Sequence, residues 1–143
     1  MNQGRMIFAQ IIDFASYHSF KRCVGRYNGD YKIKEFSCWK QFLCMSFGQL
    51  THRESLSNTA LCLKLHKDKL YHLGIGNSFN KSTISRANEN RDYRIFQDFA
   101  FSLINQAKIL YANQNTIDVK LKGGIYALDS TIIDLCLEVF WWA

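Results

Sequence analysis

Phe36-Ser37-Cys38-Trp39-Lys40-Gln41-Phe42-Leu43-Cys44-Met45-Ser46-Phe47-Gly48-Gln49-Leu50 decides the fold class. Phe36, Trp39, Phe42, Leu43, Phe47 and Leu50 recur at three- and four-residue spacings, so they share one face of a helix. The whole chain of 143 residues contains no proline. Its helices are therefore free of their strongest breaker, and glycine supplies the punctuation.

Upstream, Ile7, Phe8, Ile11, Ile12 and Ala15 predict a first helix over residues 6–20. Gly25 to Lys32 is a turn-rich basic link, tightest at Asn28-Gly29. Downstream, Thr51-His52-Arg53-Glu54 has capping-box spacing. It predicts Thr51 as the cap of a helix running to about His66, with Leu56, Ala60 and Leu63 inward. A loop is expected from Lys67 through Gly74 and Gly76 to Lys81, and Ser82 is the expected N-cap of the next helix. Ile84 and Ala87 begin an apolar stripe that Asn88 and Arg91 interrupt and Tyr93, Phe96 and Phe99 resume. The pattern fits one helix over 83–112, or a short helix to about Glu89 and a second from Asp92.

Near residue 115 the period changes from helical to alternating. Ile117, Val119 and Leu121 alternate with charged residues. Gly123-Gly124 is a turn, and strands are expected over Ile125–Asp129 and from about Thr131 to Phe140. The expected fold is mainly α. An N-terminal helical domain (1–80) and a helical connector (81–115) precede a short β-hairpin (116–143).

Apolar residues make up 48% of the chain and charged residues 21%, enough for a core and too balanced for wholesale disorder. The net charge of +6 is unevenly spread. Residues 1–122 carry all 18 Lys and Arg against 9 Asp and Glu, whereas residues 123–143 carry three acids and no base. The first part would be drawn to a polyanion and the last to a cation; a modest basic excess that serves solubility is the plainer alternative. Five cysteines at irregular spacings, with no CxxC, read as reduced thiols. Gln10 and Asp13 interrupt the only segment resembling a signal peptide, and no run has the length of a membrane span.

Three constellations could carry chemistry. Two helices joined by a loop over 51–91, the second opening at Lys81-Ser82, are compatible with a helix-turn-helix reader. Lys81, Ser82, Ser85, Arg86, Asn88 and Arg91 would then face DNA. The loop is much longer than that motif's turn of about 3–4 residues, and an ordinary capped helix with a solvated polar face is the simpler reading. Cys62 and His66 stand one helical turn apart, but no second pair at zinc spacing accompanies them. Asp129 follows Ile-Tyr-Ala-Leu and precedes Ser130-Thr131. On spacing alone it is either a turn cap or a metal ligand.

Taken together and in order, five segments resemble bacterial insertion-sequence transposases of the DDE type (the IS-four group) with an N-terminal helical domain of unknown function. They are Phe36–Phe47, Gln49–Leu56 (QLTHRESL), Lys69–Ile75 (KLYHLGI), Ser82–Phe96 (STISRANENRDYRIF) and Tyr126–Leu137 (YALDSTIIDLCL). The resemblance implies a ribonuclease-H-like catalytic domain beginning at residue 116, and DNA cleavage and strand transfer at element ends. In the family three carboxylates hold two divalent ions, usually Mg²⁺ (or Mn²⁺), that activate the nucleophile and stabilise the leaving oxygen. The first carboxylate maps onto Asp129. The family's second Asp and final Glu lie farther downstream than residue 143, so the expectation is a truncated fragment, inactive alone and holding no ion tightly. Its expected partners are DNA and either full-length transposase or a second copy, with no membrane, in the bacterial cytoplasm at the nucleoid. The alternatives are a non-catalytic DNA-binding module, an inhibitor of full-length transposase, or a non-functional relic.

Overall fold

A computed structural model describes residues 6–75 and 79–111, and these are mainly helical, with no strand among them. Contacts divide the chain into one unit over Met1–Ala112 and another over Asn113–Ala143; every described residue belongs to the first. The hairpin and ribonuclease-H-like start expected over 116–143 lie outside the described residues.

Among the described residues seven α-helices run in order: α1 (Ile7–Ile12), α2 (Tyr17–Arg26), α3 (Cys38–Leu50), α4 (Leu56–Leu65), α5 (Lys67–Leu70), α6 (Lys81–Asn90) and α7 (Arg94–Tyr111), with a 3-10 turn at Tyr71–Leu73. Helix α3 is the spine. Leu43, Cys44 and Phe47 face one cluster, shared with Phe8 and Ile12 of α1, Leu63 of α4, and Ile84 and Ala87 of α6. Cys38 faces a second, shared with Phe20, Cys23 and Val24 of α2 and Ile95 and Phe99 of α7. Trp39 and Phe42 pack against both. Phe20 anchors the second cluster, with ring centroids 5.0 Å from Phe99 and 5.4 Å from Phe42. The edge-to-face geometry with Phe99 adds to plain burial.

The single helix expected over 6–20 is two. Helix α1 ends at Ile12, and Ser16 Oγ accepts from Ser19 N at 3.3 Å to start α2. The physical reason is that Phe8 and Ile12 bury in one cluster and Phe20 and Val24 in the other. One straight helix cannot present its apolar face to both.

The capping box at Thr51 does not form. Thr51 closes α3, its hydroxyl donating to the Phe47 carbonyl at 2.6 Å. Ser55 caps α4 instead, accepting from Asn58 N at 3.2 Å. Helices α3 and α4 then approach closely: a Cβ on Gly48 would stand 2.8 Å from Thr59 Oγ1. Of the expected inward face of α4, Leu63 is buried, and Leu56 and Ala60 are half-buried. The expected loop after His66 begins instead with α5 and the 3-10 turn.

Of the two options for 83–112, the split one is found, with α6 ending at Asn90 and α7 beginning at Arg94. Ser82 lies inside α6, and Asn80 occupies the N-cap through extended backbone, without a side-chain cap bond. No helix among the described residues is long and apolar enough to cross a membrane.

Candidate nucleic-acid interface

The segment between α2 and α3 builds one wall of the main cleft. It is pinned at two residues before it turns. Gly29 N donates to Val24 O at 3.0 Å, and a Cβ there would lie 2.3 Å from Ile95 Cδ1 and 2.9 Å from Cys38 Sγ, so only glycine fits. Asp30 Oδ1 accepts from Cys38 N at 2.7 Å, satisfying a donor in the first turn of α3. Beyond it the chain turns through Lys32, whose φ of 57° is left-handed.

Arg91, between α6 and α7, ties the opposite wall to the same place. Its guanidinium donates to the carbonyls of Phe36 and Ser37 (the latter at 3.1 Å) and to Gln41 Oε1 at 2.7 Å. It also lies over the Phe36 ring, 5.3 Å from the centroid. Its half-buried position lowers its pKa, chiefly through loss of solvent. Gln41 in turn donates to Asn88 Oδ1 at 2.6 Å.

These ties hold open a cleft of about 780 Å³. Tyr31, Lys32 and Lys34 line one side, and Arg86 and Asn90 of α6 the other. Arg91 lines it as well, and Glu35 and Asp92 border it, so four cations face two carboxylates there. Asp92 is engaged by a two-pronged pair with Arg94, at 3.0 Å and 2.6 Å, which holds its carboxyl below the usual range.

A second basic surface adjoins this wall in sequence. Helix α2 has no acidic residue, and His18, Lys21, Arg22 and Arg26 are exposed on it. Arg26 is paired with Asp98 of α7, which also accepts from the Tyr27 hydroxyl at 3.0 Å. Lys21 and Arg22 extend the basic face towards the start of the helix.

Of the six residues expected to face DNA, Lys81, Ser82, Ser85 and Arg86 are exposed on α6. Only Arg86 and Arg91 of the six line the cleft. Asn88 is exposed as well, its amide bonded to Gln41 and 3.5 Å from Met45 Sδ. Arg91 differs from the expectation that it turns outward: it is half-buried, its guanidinium bonded to the Phe36 and Ser37 carbonyls and to Gln41. The Phe36 carbonyl and Gln41 Oε1, both near the start of α3, offer acceptors to a long cation, which sequence spacing does not register. Tyr31, Lys32 and Lys34 are cleft residues that helical spacing does not single out; their signal is the interleaving of aromatic and basic residues in Tyr31-Lys32-Ile33-Lys34.

Asp129, the expected ligand of Mg²⁺ or Mn²⁺, lies outside the described residues. Among the described residues no group of three His, Cys, Asp or Glu is placed to hold a metal ion. The Cys62–His66 pair is no exception, since His66 Nδ1 faces the Cys62 carbonyl oxygen at 2.9 Å.

A family model described as a domain of unknown function, DUF4372, matches residues 3–76, more than half of the chain. The chain belongs to the DUF4372 family. No curated protein and no solved structure matches it. The DUF4372 segment contains α1 to α5 and so supplies Tyr31, Lys32 and Lys34. Arg86 and Arg91 come from beyond it, so the cleft joins the DUF4372 segment to the helices on its C-terminal side.

Proposed function

We propose that this chain is the DNA-binding part of a DDE-type transposase, and that the cleft between α6 and the 27–36 segment contacts the phosphate backbone. The observation that carries the reading is the meeting of Lys32 and Lys34 with Arg86, brought to one cleft from distant parts of the sequence. The outer face of α2 would extend the same contact. Two further facts support it. The DUF4372 domain is commonly found in transposase-type proteins, and the five ordered motifs resemble that family. In this reading Asp129 is the first carboxylate of the catalytic part, and divalent metal, when bound there, would supply the nucleophile activation. Its substitution should leave DNA binding by the helical unit intact.

The test is titration of a short labelled duplex at two salt concentrations. Phosphate contacts make log K fall linearly with log salt, by roughly 0.9 per phosphate neutralised. The triple variant Lys32→Ala/Lys34→Ala/Arg86→Ala should weaken binding and flatten that slope by about two to three. Absence of a complex at low salt with both the duplex and a single strand of equal length would remove the proposal.

A further inference from the structure

We propose that the same cleft accepts an unpaired stretch of DNA, with Tyr31 as the platform on which a base stacks. The inference rests on the DNA-binding reading and says which form of DNA the cleft selects.

Tyr31 is the key observation. Its side chain is 71% exposed, yet its backbone is fixed. Tyr31 N donates to Asn28 O at 3.0 Å, and Ile33 N to Asp30 O at 3.1 Å. Asp30 is itself bonded to the start of α3. A large ring is thus displayed to water from a pinned turn and serves neither apolar cluster. The Lys32 ammonium lies over it, 5.1 Å from the centroid.

An exposed aromatic ring interleaved with cations is the arrangement that reads single strands. The ring takes a base and the cations take the flanking phosphates. A duplex has no free base face to offer, because its bases are stacked on one another. Size is compatible with this. A recess of about 780 Å³ lies within the range of small-ligand pockets and has room for the base and sugar of an unpaired nucleotide. Tyr27, the other tyrosine in the wall, is less suited to the role: it is half-buried, and its hydroxyl is bonded to Asp98.

The experiment measures fluorescence anisotropy of labelled oligothymidylate, and of a duplex of equal length, with the full chain at low salt. Tyr31→Ala should weaken oligothymidylate binding by roughly tenfold or more, the loss expected for one stacked base. Tyr31→Phe, which keeps the ring, should retain affinity within about twofold, and neither variant should move duplex affinity by more than that. Thermal melts establish that both variants fold; the exposed ring makes that the expected result. If Tyr31→Ala leaves the oligothymidylate affinity unchanged, or if the duplex binds and the single strand does not, the inference is overturned and the DNA-binding reading stands. If neither probe binds, both are overturned.

Discussion

Arg91 Nη1 donates to the main-chain carbonyl of Ser37 at 3.1 Å, across 54 positions of sequence. With the bonds to Phe36 and Gln41, this makes one side chain the tie between the α6–α7 junction and the start of α3. Arg91→Ala would leave the Phe36 carbonyl and Gln41 Oε1 without this donor, while the Ser37 carbonyl keeps its bond from Gln41 N. A loss of about 2–4 kcal/mol is expected in urea denaturation. Arg91→Lys should recover only part of it, since an ammonium cannot reproduce the planar fork. A loss below about 0.5 kcal/mol would mean that the guanidinium belongs to the surface after all.

Two glycines in and just beyond α2 should behave in opposite ways. At Gly29 a methyl group meets Ile95 Cδ1 and Cys38 Sγ, both on buried residues, and Gly29→Ala should destabilise by about 1–3 kcal/mol or more. Nothing lies within 4 Å of the corresponding position on Gly25, in the last turn of α2. Gly25→Ala should be neutral or stabilise by about 0.5–1 kcal/mol. Thermal melts of the pair would expose a wrongly placed turn as a reversed order.

The choice of cap for α4 is measurable. Ser55→Ala removes the bond to Asn58 N and should cost about 1 kcal/mol. Thr51→Ala removes a hydroxyl that re-uses the Phe47 carbonyl, already bonded by Thr51 N at 3.0 Å, and that accepts an exposed bond from Arg53 Nε at 3.2 Å; it should cost less. Equal costs would reinstate the capping box.

Burial pushes the thiols of Cys38 and Cys44 up to about 12, with Asp30 adding to the effect at Cys38. An unfolded thiol ionises near pH ~8.5. The stability these two groups contribute is therefore complete below about pH 8.5 and is lost as pH rises towards about 12. Urea midpoints should fall progressively above about pH 9, and Cys38→Ala/Cys44→Ala should flatten that fall. Alkylation of the native chain, read by peptide mapping, should reach half-exposed Cys62 before Cys38 or Cys44.

The α3 stripe was legible because periodicity alone fixes it. Leu43 and Phe47 are buried as expected, although Leu50 is half-exposed. The split of the 83–112 pattern was legible as one of two options, because Asn88 and Arg91 interrupt the stripe. The caps were not. Both Thr51 and Ser55 have the right chemistry, and the winner depends on where α3 stops. The cleft was half legible: helical spacing puts Arg86 on the outer face of α6, but Lys32 and Lys34 lie in a turn whose shape comes from Gly29 and Asp30 touching α3 and α7. Those are tertiary facts with no local signature. Asp129 and the strands after residue 115 fall outside the described residues.

Trp39 and Phe42 pack against both apolar clusters, and each cluster also draws on residues beyond position 76. Ile84 and Ala87 complete one, Ile95 and Phe99 the other. The edge of the DUF4372 match is therefore not a place where the chain can be divided. Expressed alone, residues 3–76 would leave both clusters open along α3 and should collapse or aggregate, whereas the unit over Met1–Ala112 contains every described residue of both clusters. The family boundary marks shared sequence, and the unit that folds is larger.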